Sequence, residues 1–327
     1  MTTTGAGPTG QQPLKVALLG HGAIGSVLAD RLTAGAVDGA RLIGIIARPD
    51  VAGSGTPCPG STRPESTLPG TPRPGATEPG PPHPDTSPEP ETTQFGETPR
   101  GTPTATAPGG VPVLDLAEGI AAADVVVECA SVAAARELGP EVIAAGRTLL
   151  VASIGALADA ATAAALTAGP GRLVLTTGAV GGLDALAAHR QAGGLRDVLI
   201  ISTKRASTLL QPWMDDAERT ALERATTPVT VFEGTAVDVI DRFPRSANVA
   251  VAVGLAVGDP RAVTVRMVAD PAATRTVHRI SGASDAGAFR AAVENDPSPR
   301  NPASSALVPY AMLSALAALA RPSGRFA

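Results

Sequence analysis

Aromatic residues are nearly missing from this chain of 327 residues, at 2%. Any core must therefore be built from Ala, Val, Leu and Ile. Cysteine is scarce as well. Cys58 and Cys129 lie far apart in unlike surroundings, which excludes a disulfide framework and fits a reducing compartment. There is no basic excess: 26 Lys and Arg stand against 30 Asp and Glu, for a net charge of −4. That argues against nucleic acid or an anionic membrane as a partner. Nor is there a long apolar run. The best, Ala247 to Val257, is far short of the ~20 residues that a membrane span needs. The first residues, Met1 to Gln12, are polar and lack a charged start followed by an apolar stretch, so no signal peptide is expected. A soluble, cytoplasmic protein is expected, with no metal.

What is present divides into blocks. From Leu14 to Ile46 the pattern reads strand (Leu14–Leu19), glycine turn (Gly20–Gly25), helix to about Leu32, and strand (Arg41–Ile46). Between Pro49 and Pro108 stand 16 of the chain's 31 prolines, among Gly, Thr, Ser and Glu. Proline removes backbone donors, and so polar a stretch buries too little to offset the entropy of ordering. Residues 49–110 are therefore expected to be a disordered insert, a passive loop extension rather than a partner-binding segment. Strand and helix signals then alternate: Val111–Leu114, a short helix, Asp124–Glu128, helix Ala133–Ala145, Thr148–Ala152, helix Asp159–Ala168 and Arg172–Thr176. Such alternation predicts a doubly wound parallel sheet, an α/β Rossmann domain over 13–177.

Beyond Gly178 longer strands dominate: Asp197–Lys204, Val229–Glu233, Ala262–Ala269, Val277–Gly282 and Ala288–Glu294. Helices are expected near Asp184 and over Asn248–Val257. This predicts a second, α+β domain over 178–302 for substrate and dimerisation. A C-terminal helix from about Ala303 to Ala320, within 303–327, is expected to pack back on the first domain.

The turn Gly20-His21-Gly22-Ala23-Ile24-Gly25 satisfies G-x-G-x-x-G between an apolar strand and a helix, the context which the motif requires. Gly20 permits the tight turn, Gly22 lets backbone approach a pyrophosphate, and Gly25 lets helix and strand pack closely. Free N–H groups at the helix start would meet the phosphates, so Gly20, Gly22, Ala23, Ile24 and Gly25 are cofactor-binding candidates for NAD or NADP. NAD-specific sites place an acid at the end of the second strand. This chain has Ala47 and Arg48, and Arg48 could pair with a 2′-phosphate, which leans the reading toward NADP or dual use. Alternatively Arg48 merely begins the loop, and Asp50 could still reach the ribose.

Seven further segments resemble the L-aspartate dehydrogenase family. They are Val126-Val127-Glu128-Cys129-Ala130-Ser131, Ser153-Ile154-Gly155-Ala156-Leu157-Ala158-Asp159, Gly178-Ala179-Val180-Gly181-Gly182-Leu183-Asp184, Phe232-Glu233-Gly234, Phe243-Pro244-Arg245-Ser246-Ala247-Asn248-Val249-Ala250, Ala269-Asp270-Pro271 with Val277-His278, and Pro297-Ser298-Pro299-Arg300-Asn301-Pro302. Their order is the family's, including the 30 residues from Asn248 to His278. The resemblance implies NAD(P)-dependent oxidation of L-aspartate to iminoaspartate, which water converts to oxaloacetate and ammonia, or the reverse amination. It also implies a homodimer and a place in nicotinamide cofactor synthesis. By the same resemblance His278 is the active-site histidine, and Ala179 and Asn248 contact the cofactor.

Residue chemistry bears on each position. Imidazole titrates near neutrality, so His278 could relay a proton to or from an amine or water. The other three histidines lie in the glycine turn (His21), the insert (His83) and a polar helix (His189). Asn248 could bond the nicotinamide carboxamide or simply cap its helix. The glycines from Gly178 to Gly182 could let backbone approach the nicotinamide ring, or serve only as a hinge. Ser131 follows a strand at the carboxyl edge of the sheet, where ligands sit, and Cys129 reads as a small core residue. An amino or keto dicarboxylate substrate calls for cationic or N–H partners. Lys204, at a strand end where a charged residue is more often solvated, is one candidate; Asn301 and Arg245 are others. Two positions depart from the family's pattern. Ser246 replaces an asparagine, and Ala303 replaces a lysine, which opens the alternative of a different amino or keto acid. A non-catalytic NAD(P)-binding sensor is a further alternative.

Overall fold

The computed structural model describes residues 12–46, 106–244, 246 and 248–321. Arg48, Asp50, Cys58, His83 and most of the proline-rich stretch lie outside the described residues, as do Arg245 and Ala247.

The first half alternates strands and helices: β1 (Leu14–Leu19), α1 (Ala23–Thr33), β2 (Ala40–Ile46), β3 (Thr106–Ala107), β4 (Val111–Leu114), α2 (Leu116–Ala122), β5 (Val125–Glu128), α3 (Val132–Ala144), β6 (Thr148–Val151), α4 (Ala160–Ala168) and β7 (Arg172–Leu175). The sheet order is β3-β4-β2-β1-β5-β6-β7. From β4 to β7 every pairing is parallel. The continuous apolar runs of β1 and β5 reflect burial on both faces, as parallel sheets require. Asp115, Ser131 and Asp159 cap α2, α3 and α4 through their side chains, which fixes where each helix starts. The order reverses between β1 and β5, the switch point at which doubly wound sheets bind ligands beyond their strand ends.

One detail corrects the sequence reading of this half. Chain that was expected to belong to a disordered insert is already ordered at Thr106, where β3 adds an antiparallel edge to β4. The pair is closed by Gly109 and Gly110, both at positive φ.

The second half contains α5 (Leu183–Ala192), β8 (Arg196–Arg205), α6 (Asp216–Glu223), β9 (Val229–Thr235), α7 (Asp238–Arg242), α8 (Asn248–Val257), β10 (Thr264–Asp270), β11 (Thr276–Ser284), β12 (Gly287–Asn295), β13 (Pro297–Ser298), β14 (Asn301–Ser305) and α9 (Val308–Ala320). Strands β12-β11-β8-β10-β9 form a five-stranded sheet, antiparallel except for β8 beside β10. Helices α5 to α8 bury Leu186, Leu222, Val239 and Val253 against one face, where Val198, Ile200, Val265, Met267 and Ile280 point. Helix α8 is apolar all round. Ala250, Val253 and Val257 join this core, while Val251 and Ala252 join the core of the first sheet. Such a helix is stable only when it is covered on every side.

The C-terminal helix starts later than the sequence suggests. Asn301 to Ser305 is strand, paired with β13, and α9 begins at Val308, with Pro309 in its first turn. Met312, Leu313 and Leu316 pack with Val16, Leu18, Leu28 and Leu32. Similarly, β10 begins at Thr264 rather than Ala262, because Asp259 and Pro260 start a 3-10 turn. Helices α6 and α7 were not anticipated.

With so few aromatics, Phe243 carries unusual weight. It is 1% exposed, and Trp213 and Phe232 meet it edge-on at centroid distances of 5.7 and 6.0 Å. It thereby anchors the loop between α7 and α8. Phe243→Ala should cost about 3–5 kcal/mol by cavity formation. Urea unfolding measures this, and a loss below about 1 kcal/mol would contradict the anchoring role.

Candidate active site

Along β8 the inward face reads Val198, Ile200, Ser202, Lys204. It turns from apolar to polar as the strand approaches the first sheet. His278 on β11 lies directly across from Ser202. Lys204 and His278 wall a cavity of about 1090 Å3. Its other walls come from the carboxyl ends of β5 to β7 and the loops that follow (Ala130, Ser131, Ser153, Gly178, Ala179), from Ser246 and Asn248, and from Asn301 to Ser305.

His278 is 3% exposed, and its Nδ1 lies 2.9 Å from Ser202 Oγ. Its Nε2 has no protein partner among the described residues. Burial, and then the positive charge of Lys204, push the imidazole down to about 3, so it is neutral at physiological pH. Lys204 is 6% exposed and donates from Nζ to Ser246 Oγ at 3.1 Å, its only polar partner among the described residues. Burial lowers its ammonium to about 8. The solvated alternative for Lys204 is therefore wrong: the strand end is covered by the loop that carries Ser246.

Asn248 opens α8, but its side chain does not cap that helix. Its Oδ1 accepts from the Gly155 N–H at 2.8 Å, spanning the two halves. A side chain at Gly155 would meet that oxygen at 2.8 Å, so this contact requires glycine. Ser131 caps α3 by accepting from the Ala134 N–H at 3.1 Å, and Ala179 O accepts from Asn295 Nδ2 at 2.7 Å. Asn301 donates to Ser304 Oγ.

The cavity thus brings together Ile24, Ser131, Ala179, Lys204, Asn248, His278 and Asn301. Gly20, Gly22, Ala23 and Gly25 do not line it. They lie beside it, where Cys129 Sγ donates to Gly20 O at 3.3 Å. A methyl at Gly22 would stand in open space with nothing within 4 Å, and no side chain caps the start of α1. Backbone N–H groups beside an open hollow, at the switch point of the sheet, fit a dinucleotide pyrophosphate.

Residues overlooked in the sequence include Ser202, Ser153, Gly155 and Glu128. Ser202 was within reach, since it shares a strand face with Lys204 at period two. Glu128, an acid ending an apolar strand, was the other available signal.

The depressed imidazole has a consequence for stability. In the unfolded chain His278 titrates near its ordinary 6.5, and in the folded chain near 3. The unfolded state binds the proton first, so stability is lost as pH falls from about 6.5 to about 3, by roughly 5 kcal/mol in all. His278→Gln should flatten this slope in urea titrations, and a slope unchanged from wild type would contradict the assignment.

Comparison with known proteins agrees with this geometry. Residues 184–319 match the family described as aspartate dehydrogenase, C-terminal. Residues 91–169 match the NAD binding domain described for homoserine dehydrogenase. An L-aspartate dehydrogenase of Ruegeria pomeroyi is 40% identical over 214 residues, spanning 63% of this chain and 76% of the relative. One from Methanopyrus kandleri is 40% identical over 196 residues, 58% of this chain and 69% of the relative. The fold is similar to the crystal structure of aspartate dehydrogenase from Thermotoga maritima, with a TM-score of 0.59 and 23% identity over 96% of this chain and 99% of that one. By its sequence, this chain belongs to the L-aspartate dehydrogenase family.

Proposed function

We propose that the protein catalyses NAD(P)-dependent oxidation of L-aspartate to iminoaspartate, which water converts to oxaloacetate and ammonia, or the reverse amination. The observation that carries this reading is the pairing of a buried, unneutralised lysine with a neutral histidine in one cavity at the carboxyl ends of the first sheet. The ammonium of Lys204 suits a substrate carboxylate, and Asn301, from β14, suits the second polar end. The nicotinamide, when bound, supplies the acceptor for the hydride that leaves the substrate carbon. The substrate amine must shed a proton for that step, and a water must shed one to hydrate the imine. His278 Nε2, with Nδ1 held by Ser202, is the group to receive or relay these protons. The amide nitrogen of Asn248 is left to bond the cofactor or substrate, because Gly155 occupies its oxygen. Gly20, Gly22, Ala23, Ile24 and Gly25 would receive the pyrophosphate, with Ser131 and Ala179 toward the nicotinamide.

Use of NADP, or of both cofactors, is favoured by Arg48, which follows β2 by two residues where an acid would mark NAD specificity. A division at Gly178, between a cofactor domain and a substrate domain, follows the change from parallel to mixed strands. Among the described residues no helix is long and apolar enough to cross a membrane. The free, buried Cys129 suits the cytoplasm. A second substrate reading rests on Ser246 and Ala303. Both line the cavity, and Ser246 holds Lys204, so another amino or keto acid could fit there.

The deciding assay follows consumption of NADPH or NADH with ammonia and a panel of 2-oxo acids. We expect turnover with oxaloacetate. His278→Ala should lower kcat by about 10²–10⁴-fold with cofactor affinity retained, and Lys204→Met should act mainly on KM. Turnover only with a monocarboxylate would shift the reading to another acid, and silence on every acid would point to a sensor.

A homodimer is the proposed assembly. The face of the second sheet opposite α5–α8 carries the half-buried Leu199, Ile201, Val268 and Val277, and none of them joins a buried cluster. A second copy of the same face would cover them. Sedimentation equilibrium should give a dimer that Ile201→Arg splits; a monomeric wild type would contradict it.

A further inference from the structure

Glu128 ends β5 and is fully buried. Its Oε1 accepts from the Ala130 N–H at 2.9 Å, the Ser131 N–H at 3.0 Å and the Ser153 hydroxyl at 3.0 Å. Its Oε2 accepts from the Ser153 N–H at 2.9 Å. Three of these four partners are backbone N–H groups, which can only donate, and no Lys, Arg or His pairs with the carboxylate among the described residues. Burial pushes the carboxyl up, and the hydrogen bonds from Ser153, Ala130 and Ser131 oppose that. A protonated Glu128 would need an acceptor where backbone donors already point, so the hydrogen-bond pattern favours the ionised form. Burial and this same negative charge push the neighbouring Cys129 thiol up, which keeps it unreactive.

The two loops tied by this carboxylate are those that leave β5 and β6. Ala130, Ser131 and Ser153 all line the cavity that His278 and Lys204 also line. If the cofactor lies there, its nicotinamide end must sit between these loops and the substrate. We propose that Glu128 is a positioning residue for the nicotinamide half of the site, and that its fixed negative charge makes the site favour the oxidised, cationic nicotinamide over the reduced, neutral one. The claim rests on the NAD(P) reading above and adds to it a direction of redox bias. Only a charge held away from water can act so, since a solvated carboxylate would be screened. Its hydrogen bonds fix the loops in either redox state, whereas its charge distinguishes the two.

Dissociation constants for the oxidised and reduced cofactor, measured by calorimetry on the intact protein, separate these roles. Glu128→Gln keeps the shape and removes the charge. It should shift the ratio of the two constants toward the reduced form by about tenfold. Glu128→Asp keeps the charge on a shorter arm and should weaken both forms while holding the wild-type ratio. An unchanged ratio in E128Q would overturn the proposal. Wild type that binds neither form would overturn the cofactor reading and this proposal with it. Should E128Q fail to fold, infrared spectroscopy of the wild type decides the matter. Glu128 is the only buried acid among the described residues. A buried carboxylic-acid carbonyl band at neutral pH would show it uncharged and sink the proposal, and absence of that band supports it.

Discussion

Burial of helix α8 on all sides is the constraint from which the rest of the structure follows. No stripe of polar residues marks a solvent face along Asn248–Val257. The helix must therefore be roofed by two cores at once, and the two halves of the chain come together over it. Its first residue is then forced into the seam, where the Asn248 amide meets the backbone of the 3-10 turn after β6. The cavity is the space which these two halves cannot fill around that seam. Its chemistry comes from strand ends that protrude into it.

Electrostatics across the cavity are lopsided. Part of the lining presents an ammonium that forms no ion pair among the described residues, next to an imidazole held neutral by burial and by that ammonium. Beneath Ala130, Ser131 and Ser153, which line the same cavity, a carboxylate is held by backbone donors. A buried charge without a counter-ion costs stability, and such arrangements are found where a ligand supplies what the protein withholds. An anionic substrate and a cationic ring in the cavity would complete the set of charges.

Much of the first half was readable because parallel strands buried on both faces appear as unbroken apolar runs, and Val16 to Leu19 and Val125 to Val127 are such runs. The second half was harder. Ala303 to Ala306 reads Ala-Ser-Ser-Ala, with no β-branched or aromatic residue to signal a strand, although Pro309 marked the true helix start. Helix α6 is mostly polar and covers the core with Leu222 alone as its buried residue, so periodicity gave little sign of it. For the site, the sequence pointed to Lys204, Asn248 and His278. It could not indicate that Lys204 is buried, because burial depends on a loop 42 residues away that supplies Ser246. In the sequence Glu128 is one residue of the segment Val126 to Ser131, with no partner in view. Its four acceptor contacts exist because two loops, separated by a helix and a strand, converge on one side chain.

The poverty in aromatic residues has a practical side. Trp213 is the chain's single tryptophan. Its indole N–H donates to the Arg242 carbonyl at 2.8 Å, the Arg242 guanidinium lies 4.8 Å over its ring, and its edge meets Phe243. The loop that begins at Phe243 carries Ser246 and leads to Asn248. Tryptophan emission, excited where tyrosine does not absorb, therefore comes from one indole fixed at the base of the active-site loop. Its emission reads the state of that loop directly, without a label and without a second indole to confuse the signal.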